Sequence, residues 1–410
     1  MSNTLLNRLK SLNHDRIIYY ISFIFCLGIV FQGQTKIPLT FGIVFTTFFW
    51  LIKPNYKEKW ASLKQNKAHL FLILFYIFMG LSFMWTEDTR TFGRLIQLKL
   101  SLILSALVWS STTLNKKQIQ SILLFFAGAV AIHLTLDHIL LGLSKEELNV
   151  HKFSVISKNR KHYIALYTLF SLGITNYYIL KIKSKGYQIL LLVLSLFFTY
   201  NTLIIGSRIH IIGLLLLSVY FIVQLFKANF SKTIIRASVV GLLITIGSVS
   251  VLSKRIQFKI EETKDEIVKI FDNTHSKNTN PRVYIWPAAV KAMDGHLLFG
   301  HGLGDAQKAL NAFTDKIEIE FWLNNTNTKL RDKNINSHSQ YLEIILQTGL
   351  FGFLLFFGSI FFGVKRSNHI SLIFITCILL SMLTESIFER QFGLVFFAFF
   401  YPFLLEKKQV

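Results

Sequence analysis

The chain has 410 residues, of which 52% are hydrophobic and only 16% are charged. The apolar residues form long, uninterrupted blocks, a pattern that excludes an ordinary soluble protein and is typical of membrane-spanning helices. The net charge of +22 does not indicate nucleic-acid binding, because most of the excess lies in short loops that we place beside anionic lipid. We therefore expect an all-α integral membrane protein with no nucleic-acid partner.

The apolar blocks predict about twelve transmembrane helices, since a span needs roughly 20 mostly apolar residues. Hydrocarbon offers no water to unpaired backbone groups, so spans must be helices or strands of a closed barrel, and uninterrupted blocks favour helices. In chain order, we predict spans at about residues 17–33, 36–52, 69–85, 94–111, 119–141, 162–180, 187–205, 209–226, 234–252, 344–364, 369–387 and 391–405.

The distribution of lysine and arginine predicts the side on which each loop lies, because cytoplasmic loops are enriched in these residues. The loops on the same side of the membrane as the N-terminus carry basic clusters at 53–67, 116–117, 181–185, 227–236 and 365–366. The opposite loops are poorer in bases, apart from 142–161, so we place both termini in the cytoplasm. One large hydrophilic loop, 253–343, then lies on the outer face, between nine spans in 1–252 and three in 344–410.

Several charged or titratable residues lie at the outer ends of the predicted spans, namely Arg94, Lys99, Asp137, His138, His162, Arg208, Glu385, Glu389 and Arg390. Charges are costly inside a bilayer and are usually retained for a function. Their shared side predicts a polar site at the outer boundary between membrane and water. For each residue alone, an ordinary interfacial side chain that reaches water is the alternative.

The large loop contains further candidates. Arg282 begins a predicted helix whose apolar face includes Trp286, and Gly302 and Gly304 lie in a turn that lets the backbone approach a ligand or a neighbouring helix. His338 stands at the start of the helix that enters the tenth span, where it can accept a proton from a hydroxyl group. A solvated histidine at a helix start is the alternative.

No metal site or cofactor is expected from the sequence. The only cysteines, Cys26 and Cys377, are single residues inside apolar blocks. They form neither a disulfide framework nor a metal-binding pattern, and His296 and His301 in the glycine-rich turn have no clear set of companion ligands.

These segments together resemble the O-antigen ligase and polymerase family of bacterial envelope glycosyltransferases. That family has a Ser-Arg turn between two spans and a long outer loop. The loop begins with an Arg-x-x-x-Trp-x-x-Ala helix, continues into a glycine-rich turn and ends in a His-[Asn/Ser]-x-Tyr-Leu segment followed by Gly-Leu-x-Gly. The corresponding segments here are Ser207-Arg208, Arg282–Ala289, Leu298–Gly304, His338–Leu342 and Gly349–Gly352, so the resemblance covers about residues 190–365.

The resemblance implies a metal-independent glycan transfer on the periplasmic face of the bacterial inner membrane. The donor would be a glycan on undecaprenyl pyrophosphate, and the acceptor a sugar hydroxyl of lipid A core, of another lipid-linked repeat, or of a protein. The fold would be that of the large lipid-dependent glycosyltransferases, with membrane lipids around it.

The resemblance also implies roles for individual residues. Arg208 and Arg282 would hold the pyrophosphate, and His338 would activate the acceptor hydroxyl. The remaining candidates would contact substrate, namely Lys99, Trp286, Gly302, Gly304, Tyr341, Glu385 and Arg390.

Ligase, polymerase and protein O-oligosaccharyltransferase share these motifs, so the sequence leaves the choice open. A single large outer loop late in the chain favours the ligase. A transporter of lipid-linked glycans is the alternative from another class of protein. It is less favoured, because transporters usually place polar residues near the midplane and often show repeated halves.

Overall fold

The computed structural model describes residues 12–143, 161–228, 282–314 and 336–405, together with isolated helical residues between 236 and 247. Within these residues the secondary structure is helical. The first ten α-helices are α1 His14–Val30, α2 Ile37–Ile52, α3 Tyr56–Gln65, α4 Lys67–Leu81, α5 Thr89–Leu98, α6 Leu100–Ser111, α7 Lys116–Leu143, α8 Lys161–Ile179, α9 Lys185–Ile205 and α10 Arg208–Lys227. They are followed by α11 Arg282–Ala292, α12 Ala306–Thr314, α13 Gln340–Arg366, α14 His369–Thr384 and α15 Gln391–Leu404.

Six stretches of the described chain are long and apolar enough to cross a membrane. They are Lys67–Met84, Thr89–Ser111, Lys116–Leu140, Lys185–Ile205, Arg208–Lys227 and Gln340–Arg366. A seventh is added if α2 and α3, which meet at a bend of 116°, form one broken span, and α14 and α15 are shorter apolar helices. These helices indicate a multi-pass membrane protein, while the total of about twelve spans stays a prediction.

The predicted span 234–252 lies outside the described residues, apart from the isolated helical positions. The predicted outer loop is described only at 282–314 and from 336 onward. The division of the chain into 1–252, 253–343 and 344–410 therefore also stays a prediction.

Helix α15 lies inside the bundle and is buried from Gly393 to Leu404. It packs against α6, α14 and α1. The rings of Phe396 and Phe400 contact that of Phe126 on α7, with centroids 5.7 and 4.7 Å apart. A helix that is apolar on every side belongs in the interior of a bundle. Apolar side chains on the outer flanks of α9, α10 and α13 are exposed instead, as a surface in contact with lipid requires.

The turn between α9 and α10 follows directly from its residues. Gly206 ends α9 in the left-handed conformation, with φ 64°, which glycine adopts without steric cost. Ser207 is the N-cap of α10 and Arg208 is the first residue of that helix. The predicted Ser-Arg turn between two helices is thus present, and it places Arg208 at a helix N-terminus.

Helix α13 is broken at Gly349, where φ is 62° and ψ is −168°. The break leaves backbone amides of α13 without acceptors inside the helix, and the glycine-rich turn before α12 supplies acceptors for them. The amides of Leu350 and Phe351 donate to the carbonyls of Leu297 and Leu298, at 2.8 and 3.1 Å. The turn thereby fixes the first part of α13, which carries the segment around His338.

Helices α11 and α12 pack against this first part of α13. Their small core contains Ile285, Ala289 and Leu310 together with Leu346 of α13, all of them buried. The described residues 282–314 are therefore packed against α13, and this contact places Arg282 and His338 on neighbouring elements.

Candidate active site

Glu385 lies at the centre of a cluster of charged side chains. It directly follows the last residue of α14 and is only 4% exposed. Its Oε2 lies 3.5 Å from Nδ1 of His338 and 3.9 Å from Nε2 of His162. The Arg282 guanidinium donates to the carbonyl of Thr384 at 2.6 Å. The ends of four helices, α8, α11, α13 and α14, thus bring one carboxylate, two imidazoles and one guanidinium together.

The electrostatics of the cluster keep Glu385 ionised. Burial by itself raises the pKa of a carboxyl group. Here the nearby imidazole of His338 and the charges of His162 and Arg282 outweigh burial, so the pKa of Glu385 lies below its usual value. The cluster therefore contains a buried carboxylate anion that faces basic groups.

His338 is held in an unusual backbone conformation. Its φ is +47°, a region that residues other than glycine seldom adopt and that is often found at functional sites. The amide of His338 donates to Oδ1 of Asn336 at 3.3 Å, while its side chain is 34% exposed. The imidazole thus faces Glu385 on one side, and the rest of the ring is accessible to solvent.

Ser337, the residue before His338, is held by hydrogen bonds with Trp286 and with Glu343. The indole N–H of Trp286 donates to the carbonyl of Ser337 at 3.1 Å. The hydroxyl and the amide of Ser337 donate to Oε2 of Glu343, at 2.7 and 3.2 Å. Glu343 is itself buried and accepts from Gln347 at 3.1 Å. These hydrogen bonds fix the backbone of Ser337 and thereby the position of the neighbouring residue His338.

Arg208 is the first residue of α10, in a turn that is joined to α14. His210, two residues later, shares a hydrogen bond of 2.7 Å with Ser207 and one of 3.0 Å with Ser381 on α14. Ser381 is one helical turn before Glu385. The start of α10 and the end of α14 are therefore joined, which brings the Ser-Arg turn to the end of the bundle that carries Glu385.

Lys99 is tied to the segment between α14 and α15. Its ammonium is 2.5 Å from Oε1 of Glu389 and donates to the carbonyl of Phe388 at 3.3 Å, and the side chain is 2% exposed. Gln340 accepts from the amide of Phe388 at 2.6 Å. Lys99 and Gln340 thus anchor the segment that begins with Glu385, whereas a contact of Lys99 with substrate stays a prediction.

The other predicted residues make contacts within the protein. The Tyr341 hydroxyl donates to the carbonyl of Leu379 at 2.8 Å. A side chain at Gly302 or Gly304 would collide with the turn around Thr86, so these glycines permit a close approach of the two turns. Arg390 is exposed at the N-cap of α15. Their contacts with substrate, and that of Trp286, stay predictions.

Glu343 was not among the residues singled out from the sequence, whereas His162 and Glu389 were recognised only as residues at the outer ends of spans and were given no role. Glu343 is a carboxylate at the start of a long apolar block, so the cost of burying charge was a signal that could have selected it. His162 and Glu389 give no local signal that separates them from interfacial residues. Among the described residues, no group of three or more His, Cys, Asp or Glu side chains could hold a metal ion.

Residues 190–357 match the family model described as O-antigen ligase. These residues belong to the O-antigen ligase and polymerase family. The O-antigen ligase segment contains Arg208, Arg282 and His338, whereas Lys99 and Glu385 lie outside it. The family indicates a glycosyltransferase-like ligase or polymerase and implies a lipid-linked glycan and membrane lipids as partners. No curated protein matches the chain.

Proposed function

We propose that the protein is an O-antigen ligase of lipopolysaccharide biosynthesis. It transfers a glycan from undecaprenyl pyrophosphate to a sugar hydroxyl of lipid A core, on the periplasmic face of the bacterial inner membrane. The observation that carries the proposal is the meeting of His338, Glu385 and Arg282 at the ends of membrane helices, in a chain with an O-antigen ligase segment.

The arginines serve the leaving group. As the bond between the anomeric carbon and the phosphate oxygen breaks, its electron pair stays on the pyrophosphate. A guanidinium has five N–H donors and is permanently charged, so Arg282 can bind the Thr384 carbonyl and a phosphate oxygen at the same time. Arg208 adds a second guanidinium from the start of α10. Fixed positive groups aimed at the developing charge lower the barrier without a metal ion.

His338 and Glu385 serve the acceptor. The acceptor oxygen bonds to the anomeric carbon while its proton passes to the imidazole of His338, which acts as general base. The Glu385 carboxylate faces Nδ1 of this ring at 3.5 Å. It fixes the ring orientation and stabilises the imidazolium that forms, as an aspartate does in a serine-protease triad.

The first test is the change His338→Ala in a strain that lacks the chromosomal gene, with the lipopolysaccharide separated on a gel. We expect bare core, with long glycan accumulating on the lipid carrier, because general-base catalysis contributes about 10²- to 10⁴-fold. His296→Ala is the matched control, since His296 is an exposed histidine of the same outer segment and should leave the ladder unchanged.

The same gel separates the alternatives. Core that carries a single repeat would identify an O-antigen polymerase and contradict the ligase. An unchanged ladder with His338→Ala would contradict both, and would direct the search to a protein acceptor or to a transporter of lipid-linked glycans.

A further inference from the structure

A cavity lies at the opposite end of the helices that form the candidate active site. Its volume is about 180 Å³, more than the roughly 150 Å³ that hold a benzene-sized molecule. It is lined by the last part of α8, the last part of α10 and the first part of α14. The other ends of the same helices carry His162, Arg208 and Glu385, so cavity and site are separated by the length of these helices.

The mouth of this cavity is basic. Lys181, Lys227 and His369 line it and are exposed, and none of its lining residues is an aspartate or a glutamate. Within the described part of the chain, no carboxylate lies at ion-pair distance from Lys181 or Lys227. Two ammonium groups at one opening, without acidic partners there, form a site for an anion.

The wall between mouth and floor supplies polar groups. The hydroxyl of Tyr220 on α10 and Nδ1 of His369 on α14 share a hydrogen bond of 2.5 Å, which joins the two helices at the opening. Asn176 is buried, and its Oδ1 accepts from Ser195 at 2.5 Å, which orients the amide group. Gln224 also lines the cavity. These groups suit the ester oxygens and hydroxyls next to a phosphate.

The floor and the adjoining surface are apolar. Leu217 and Ile373 line the cavity and are buried, and Gly173 allows α8 to approach α14 closely at the side chain of Ile373. On the neighbouring flank of α10, Leu216 and Val219 are exposed. A hydrocarbon chain can lie along this flank while the charged part of the same molecule occupies the mouth.

We propose that this cavity binds the head group of an anionic phospholipid, with the phosphate between Lys181 and Lys227 and an acyl chain along α10. Basic pockets between membrane helices are known to take such head groups. The orientation predicted from lysine and arginine places the cavity at the cytoplasmic leaflet, where anionic lipid is found. A soluble phosphate ester has the same charge but cannot use the apolar flank.

The test uses the purified full-length protein in detergent, with phosphatidylglycerol or phosphatidylcholine of equal chain length added. Binding is measured by native mass spectrometry and by the increase in melting temperature. The variant Lys181→Gln/Lys227→Gln is compared with Lys183→Gln/Lys185→Gln, which removes the same charge from exposed lysines next to Lys181 that do not line the cavity.

We expect phosphatidylglycerol, but not phosphatidylcholine, to bind the wild type. The affinity for phosphatidylglycerol should fall about 25-fold in Lys181→Gln/Lys227→Gln, because each lysine contributes about fivefold, and less than about twofold in the control. If the double variant does not fold, the single variant Lys227→Gln replaces it, since Lys227 is exposed. Its affinity for phosphatidylglycerol should fall about fivefold.

Three results would overturn the proposal. An equal loss of affinity for phosphatidylglycerol in both double variants would show that the lipid is attracted by the basic loops in general and not by the cavity. Unchanged binding in Lys181→Gln/Lys227→Gln would show that the cavity is not the site. An equal response to soluble glycerol phosphate would assign the cavity to a soluble phosphate ester instead of a lipid. None of these outcomes depends on the transferase activity proposed for the opposite end.

Discussion

At the scale of single residues, the candidate site depends on one buried carboxylate. Glu385 is the shared neighbour of His338 and His162, and its backbone neighbour Thr384 binds Arg282. The basic groups around this carboxylate stabilise its ionised form, which explains the lowered pKa of Glu385 despite its burial. Its contribution is therefore to position and charge-balance the histidine and the arginine.

Replacing Glu385 by glutamine removes the charge and keeps the shape of the side chain. We expect the rate of transfer by the purified protein, kcat, to fall about 10- to 100-fold, because His338 loses the anion that stabilises its protonated form. Glu385→Asp keeps the charge and should recover part of the rate. If glutamine and aspartate variants were equally active, the charge of Glu385 would have no part in transfer.

Trp286 offers a second test at this scale, because the structure ties its indole N–H to the Ser337 carbonyl. Trp286→Phe removes this hydrogen bond and keeps an aromatic ring. We expect kcat to fall about 5- to 10-fold, consistent with the loss of one hydrogen bond of about 1 kcal/mol, while KM stays within about twofold. A rise in KM with unchanged kcat would instead support the predicted contact of Trp286 with substrate.

At the scale of elements, the break in α13 is the point at which the glycine-rich turn contacts this helix. Gly349 has a positive φ, and a side chain there would collide with the backbone of Leu298 and Phe299. A side chain at Gly300 would meet the amide of Thr348 at 2.6 Å. The glycine-rich turn and the broken helix therefore fit only because both contribute glycines at their contact.

Gly349→Ala should destabilise the protein, because alanine strains the backbone at positive φ and displaces the docked turn. We expect a loss of about 1–3 kcal/mol, measured as a lower melting temperature in detergent, and reduced transfer. Gly128→Ala on α7 is the control, since no atom lies within 4 Å of the added carbon and alanine favours a helix. A normal melting temperature for Gly349→Ala would contradict this account of the turn.

At the scale of the whole molecule, the phenylalanines of α15 pack between the surrounding helices of the bundle. Phe400 is fully buried, and its ring lies 4.7 Å from that of Phe126 on α7 and 5.2 Å from that of Phe170 on α8. Lipid is as apolar as a phenylalanine side chain, so burial from water contributes little inside a bilayer, and close packing between helices provides the stability.

Phe400→Ala should therefore destabilise the protein through the cavity that it leaves, by less than the about 3–5 kcal/mol of a water-soluble core, where the loss of transfer free energy is added. Phe361→Ala, at an exposed position of α13, removes the same atoms from the surface and should have an effect within about 0.5 kcal/mol. The comparison is made by thermal unfolding in the same detergent. Similar losses in both variants would argue against packing around α15 as the source of stability.

The sequence by itself determined the class of the protein and the order of its motifs. Long apolar blocks require helices in a membrane, and the Ser-Arg turn, the Arg282 helix, the glycine-rich turn and the His338 segment follow one another as in the O-antigen ligase family, which the match over 190–357 confirms. These features are local, because composition, periodicity and turn residues each depend on a few neighbouring positions.

Only the tertiary structure decided which distant residues meet. It placed His162, Arg282, His338 and Glu385 together and paired Lys99 with Glu389, 290 positions away. An apolar helix can pack against many partners, so neither its length nor its hydropathy indicates its neighbours. The packing of the helices and the break at Gly349 select one arrangement, and that arrangement turns separate interfacial charges into a site.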